Sequence, residues 1–123
     1  MILTQKIEPP EVRELKKIQE NFNEYQNKAF PKREPQFFAL ELAGECGELA
    51  NCEKKLWRDA TADISKNKLE DEAADVFIAL INYCNTRDIN LETSVQNKLT
   101  VIEKRRLEGK MGAFKNGFPP SQE

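Results

Sequence analysis

Phe38-Ala39-Leu40-Glu41-Leu42-Ala43-Gly44-Glu45-Cys46-Gly47-Glu48-Leu49-Ala50-Asn51-Cys52 reads as a helix that carries acids where an amphipathic helix normally keeps none. At about 100° per residue, Phe38, Leu42, Leu49, Cys52 and Leu56 all fall within about 60° of Glu45. Glu41 and Glu48 lie in the same arc. A carboxylate buried without a partner is costly even after the surroundings relax, so three of them on one apolar stripe call for a counter-charge.

The next helical stretch repeats the anomaly. Glu72 shares its face with Leu69, Val76, Ala79 and Tyr83, and Asp75 sits about 60° to one side, one turn along. Asn82 follows on the Asp75 edge. Packed side by side, the two helices would bring Glu45, Glu48, Glu72 and Asp75 together. Four like charges repel, and a hard divalent ion is the economical remedy: oxygen donors without imidazole or thiolate favour Mg2+, with Mn2+ as a substitute. The competing expectation is a narrower stripe, with the acids at its borders paired to Lys54, Lys55 or Lys68.

Outward from this pair, the chain reads as all-α. Pro9-Pro10 lead into a helix expected over Glu11 to Lys28, with Val12, Leu15, Ile18, Gln19 and Phe22 as its stripe, and Pro31 ends it. Pro35 opens the second helix, which runs to about Trp57. The third spans about Ser65 to Thr86, and its run Val76-Phe77-Ile78-Ala79-Leu80-Ile81 is apolar all round, which predicts a central position covered on several sides. The fourth runs from Leu91 to about Glu108 on Leu91, Val95, Leu99 and Ile102, with Gly109 as its stop. Residues 109–123 read as an irregular tail in which Met111, Phe114 and Phe118 could pack. No period-2 alternation argues for a sheet. The expectation is a single domain over 1–123.

Composition narrows the chemistry. The 123 residues include no histidine, so a Ser-His-Asp triad, a Cys-His pair and His-containing zinc sites are all excluded. Cys46, Cys52 and Cys84 are odd in number and lack Cys-x-x-Cys spacing, so they read as small buried apolar residues. With 19 basic against 21 acidic residues, the chain has no general attraction for nucleic acid polymers or anionic membranes. Lys104-Arg105-Arg106, flanked by Glu103 and Glu108, reads as a solvated helix face. No apolar run reaches the roughly 20 residues that span a bilayer, and the N-terminus meets charge too early for a signal peptide, so the expected location is cytoplasmic.

The segment Ala39-Leu40-Glu41-Leu42-Ala43-Gly44-Glu45-Cys46-Gly47-Glu48-Leu49-Ala50, followed by Glu72-Ala73-Ala74-Asp75-Val76, resembles the MazG-like nucleotide pyrophosphohydrolases. The similarity extends through Arg87-Asp88-Ile89-Asn90-Leu91 and from Lys98 to Arg105, and covers roughly residues 36 to 109. It implies an antiparallel bundle of about four main helices, completed by oligomerisation as a homodimer or a dimer of dimers. It also implies an Mg2+-dependent enzyme that cleaves a nucleoside triphosphate to the monophosphate and pyrophosphate. Glu45, Glu48, Glu72 and Asp75 would hold the metal, and Glu45 or Glu48 would act as base. Lys54, Asn82, Lys98, Arg105 and Arg106 are the candidates for contacting substrate. Many relatives have a small or apolar residue in place of Glu41, which leaves it either an outer acid or a solvated one. Trp57 is one residue from the place where some relatives stack an aromatic on the base, and core or interface packing is its expected role. Two other readings stand beside this one: a non-catalytic helical module that binds a partner or nucleotide, and a phosphoribosyl-ATP pyrophosphohydrolase-like enzyme.

Overall fold

Local backbone chemistry marks several of the helix ends. The computed structural model describes residues 5–109, and the expected tail with Met111, Phe114 and Phe118 lies outside them. Four helices follow in order: α1 (Leu15–Ala29), α2 (Pro35–Arg58), α3 (Lys66–Thr86) and α4 (Leu91–Leu107). Among the described residues there is no strand, and no helix is long and apolar enough to cross a membrane.

Pro35 occupies the first turn of α2, where its missing N–H costs nothing, and extended Glu34 precedes it. The helix ends at Asp59, whose Oδ1 accepts from both the backbone N–H and the hydroxyl of Thr61, at 2.9 and 2.6 Å. Ser65 caps α3, its Oγ accepting from the Lys68 N–H at 3.1 Å. At the other end of α3, Asp88 takes a left-handed conformation (φ 53°). The Ile89 N–H then returns to the Cys84 carbonyl at 2.9 Å and the Asp88 N–H to the Asn85 carbonyl at 3.4 Å, which is the Schellman arrangement. Gly109, at φ 70°, stops α4 as its position in the sequence predicts.

The described residues divide into two compact units, residues 17–90 and residues 5–16 with 91–109. The unit built on residues 17–90 is organised by α2 against α3. Glu48 neighbours Glu72, Glu45 neighbours Asp75, and Glu41 and Ile78 line one cleft, so the sequence numbers run in opposite directions and the two helices are antiparallel. Phe38, Cys52, Ala79, Ile81 and Cys84 form the buried apolar core. Helix α1 joins α3 through Phe22, edge-on to Phe77 with ring centroids 6.1 Å apart. It joins again through a buried amide pair. Gln19 Nε2 donates to Asn85 Oδ1 at 3.1 Å and to the Ile89 carbonyl at 2.8 Å, and Asn85 Nδ2 donates to the Gln19 carbonyl at 3.0 Å.

In the other unit, an extended N-terminal segment is fastened along α4 by side chains on one face of that helix. Arg106 donates to the Gln5 carbonyl, Glu103 accepts from the Ile7 N–H at 2.9 Å, and Gln96 bonds both the Pro10 carbonyl and the Val12 N–H. Glu92 then accepts from the Lys16 N–H at 3.2 Å, satisfying one of the donors left open at the start of α1.

Several expectations need correction. Helix α1 does not start at Glu11: residues 10–12 are held extended by Gln96, and Glu14 sits at φ 68°, outside helical geometry. The run Val76 to Ile81 is covered on several sides only in part: Ala79 and Ile81 are fully buried, whereas Phe77 and Ile78 are 40% and 43% exposed. Of the two roles expected for Trp57, core packing does not hold, since it is 85% exposed on the last turn of α2. Cys46 is exposed on the outer face of α2, whereas Cys52 and Cys84 are buried as expected. Arg106 does not lie on a solvated face: it is half-buried and paired with Glu103.

Candidate functional site

Glu45 on α2 and Glu72 and Asp75 on α3 each present a carboxylate oxygen, and the three oxygens lie within 4.8 Å of one another. The antiparallel packing of α2 on α3 makes this meeting, because each acid lies on the face that its helix turns to the other. Glu72 is buried, at 2% exposed, while Glu45 and Asp75 are half-buried. Among the described residues nothing donates a hydrogen bond to Glu45 Oε2 or Glu72 Oε2, although both atoms are buried. Such oxygens are rare in folded proteins and require an explanation.

Glu48, the fourth expected acid, stands beside the group rather than within it. It is exposed, and its carboxyl shares a hydrogen bond with Glu72. That bond, with repulsion from the same residue, raises the Glu48 pKa above the ordinary carboxylate value. Glu45 is raised as well, first by burial and then by the charges of Glu48, Asp75, Glu72 and Glu41. Glu72 moves the other way, held low mainly by Lys68, whose Nζ lies 2.7 Å from Glu72 Oε1. Of the lysines expected to compete for these acids, Lys68 is the one that pairs with the group. Lys68, itself half exposed, serves one oxygen of Glu72, while Lys54 and Lys55 are exposed on α2. One ammonium among four acids leaves net negative charge, and an all-oxygen donor set of this kind suits a hard divalent cation.

Glu41, one turn of α2 from Glu45, lines a cleft of about 610 Å³, within the roughly 300–1,000 Å³ usual for small-molecule sites. Phe22, Phe30, Phe37 and Phe38 give it aromatic walls, and Arg33 lies over the Phe37 ring at 4.7 Å from its centroid. Glu41 and Asn82 supply polar groups. Asn82, expected at the substrate, is buried at 6% exposure and lines this cleft. Lys98 and Arg105 are exposed on α4 in the other unit, and Arg106 is committed to Glu103 and the Gln5 carbonyl. The aromatic wall was missed by sequence reasoning, because Phe30 and Phe37 flank a proline-bounded loop and belong to no helical stripe.

No known family model matches the chain, and no solved structure matches it. Over 76 residues it is 32% identical to the gene 37 protein of Mycobacterium phage L5, a stretch covering 59% of this chain and 67% of that protein. At that identity over two thirds of the relative's length, the chain belongs to the family of the phage gene 37 protein.

Proposed function

We propose that the protein is a nucleoside triphosphate pyrophosphohydrolase of MazG-like type, dependent on Mg2+ or Mn2+, that works as a homodimer or a dimer of dimers. The observation that carries this reading is the convergence of Glu45, Glu72 and Asp75 with two buried oxygens left without a donor. The Glu45-x-x-Glu48 and Glu72-x-x-Asp75 spacing supports it from the sequence side.

Glu45, Glu72 and Asp75 would hold the cation. Once bound, it would neutralise charge on the phosphates and make an attacking water more acidic. The chain's own residues account for the rest. Glu48 lies outside the three-oxygen set, so it is the better placed of the two candidate bases. Water adds to the α-phosphorus, Glu48 takes its proton, and the bond to the β-phosphate oxygen breaks to release pyrophosphate. The aromatic cleft receives the nucleoside, with Asn82 within it to hydrogen-bond the base.

Pyrophosphate release from the common NTPs and dNTPs, with and without Mg2+, tests the reading. Release that EDTA abolishes is expected, and no release from any of them would refute it. Asp75→Asn should lower kcat/KM by about a hundredfold or more while the metal-free melting temperature stays level or rises, since a repulsion is removed. Glu72→Gln should also lose turnover, but with a lower melting temperature, because it gives up the Lys68 pair. Non-catalytic binding, the rival reading, predicts neither loss.

A further inference from the structure

We infer that Glu41 reads the sugar, so that the enzyme prefers ribonucleoside over 2′-deoxyribonucleoside triphosphates; this rests on the hydrolase reading above. Glu41 is absent from the three-oxygen group, although it lies on the same helix one turn from Glu45. It belongs instead to the wall of the aromatic cleft, and it is half-buried there. Four residues of helix separate it from Glu45, a rise of about 6 Å. Phe38 and Asn82 lie farther along, seven residues from Glu45 and from Asp75, or about 10 Å. With the phosphates at the acid group and the base among the phenylalanines, Glu41 falls level with the part of the nucleotide between them.

Hydrogen-bonding chemistry then identifies its partner. An ionised carboxylate only accepts. Phosphate oxygens and the ring oxygen of the sugar only accept as well, and the phosphates also repel it. The donors of a nucleotide that lie next to the phosphates are the 2′- and 3′-hydroxyls. A ribose offers both on adjacent carbons, matching the two oxygens of one carboxylate, whereas a 2′-deoxyribose offers one. A carboxylate that binds ribose hydroxyls at the edge of a nucleotide cleft is a recurrent solution in nucleotide-binding proteins.

The test compares matched pairs in the 123-residue chain with Mg2+: ATP against dATP, and CTP against dCTP. We expect kcat/KM to favour the ribonucleotide by about tenfold or more in both pairs, the size of a charge-assisted hydrogen bond. The ratio should fall toward one in Glu41→Ala and partly in Glu41→Gln, which keeps one acceptor. Equal or deoxy-favouring ratios in the parent protein, or a ribonucleotide preference that survives in Glu41→Ala, would overturn the assignment. Calorimetric binding of AMP and dAMP separates this from failure of the hydrolase reading, because it needs no turnover. Tighter AMP binding that Glu41→Ala abolishes supports the sugar contact even if no pyrophosphate is released, and equal affinity for the two removes it.

Discussion

Gln19 is 6% exposed on a helix face otherwise made of Leu15, Ile18 and Phe22, and its side-chain amide links α1 to the end of α3 through two hydrogen bonds. Replacing it with leucine preserves the size but strands the Asn85 oxygen and the Ile89 carbonyl. Gln19→Leu should therefore destabilise the protein by about 1–3 kcal/mol in urea denaturation, and a neutral result would mean that water replaces the amide. Glu103 is a second informative residue. Its hydrogen bond to Arg106, helped by the Ile7 N–H, lowers its pKa from 4.5 to about 2. A carboxylate held below its ordinary value favours the folded state when ionised. Its contribution is complete above pH 4.5 and is lost as the pH falls toward 2. The melting-temperature difference between the parent protein and Glu103→Gln should accordingly shrink to nothing across that window, as read by circular dichroism.

At the scale of the element, the end of α3 is the clearest case of local chemistry setting a boundary. Asp88 takes the left-handed position where glycine is usual, and the two return bonds to Cys84 and Asn85 depend on it. Asp88→Gly should be neutral or stabilising by up to about 1 kcal/mol, and Asp88→Val should cost more than the roughly 1–2 kcal/mol of left-handed strain, both measured by thermal melts. The same turn delivers the Ile89 carbonyl to Gln19, so the cost in the valine variant should exceed that of backbone strain alone. Helix α1 shows the opposite relation. Its residues from Glu11 read as helical, yet Gln96 on α4 captures the backbone of Pro10 and Val12 and delays the helix to Leu15. A side chain more than eighty positions away outweighed local propensity there.

Taken whole, the chain leaves a good deal of apolar surface in water. Leu40 and Trp57 on α2 are 75% and 85% exposed, Phe77 and Ile78 are partly exposed on α3, and a Cβ at Gly44 or Gly47 would meet nothing within 4 Å. The bare flank of α2 supports the proposed oligomer. Light scattering should give at least twice the 14.2 kDa chain mass at micromolar concentration, and a single-chain mass would refute the proposal. Trp57→Ser and Leu40→Ser would then be expected to weaken the assembly.

Sequence alone determined the four helices, because helix starts and stops are short-range chemistry: Pro35 and Ser65 at two starts, Gly109 at a stop. It also singled out Glu45, Glu48, Glu72 and Asp75, since an acid on an apolar face conflicts with burial whatever the helix packs against. Only the tertiary structure separated Glu48 from that set, gave Lys68 to Glu72 and moved Glu41 to the wall of the aromatic cleft. The physical reason is resolution in angle and distance. Helical periodicity assigns a residue to a face about 100° wide, whereas coordination and hydrogen bonding are decided over a few ångströms by the register of α2 on α3.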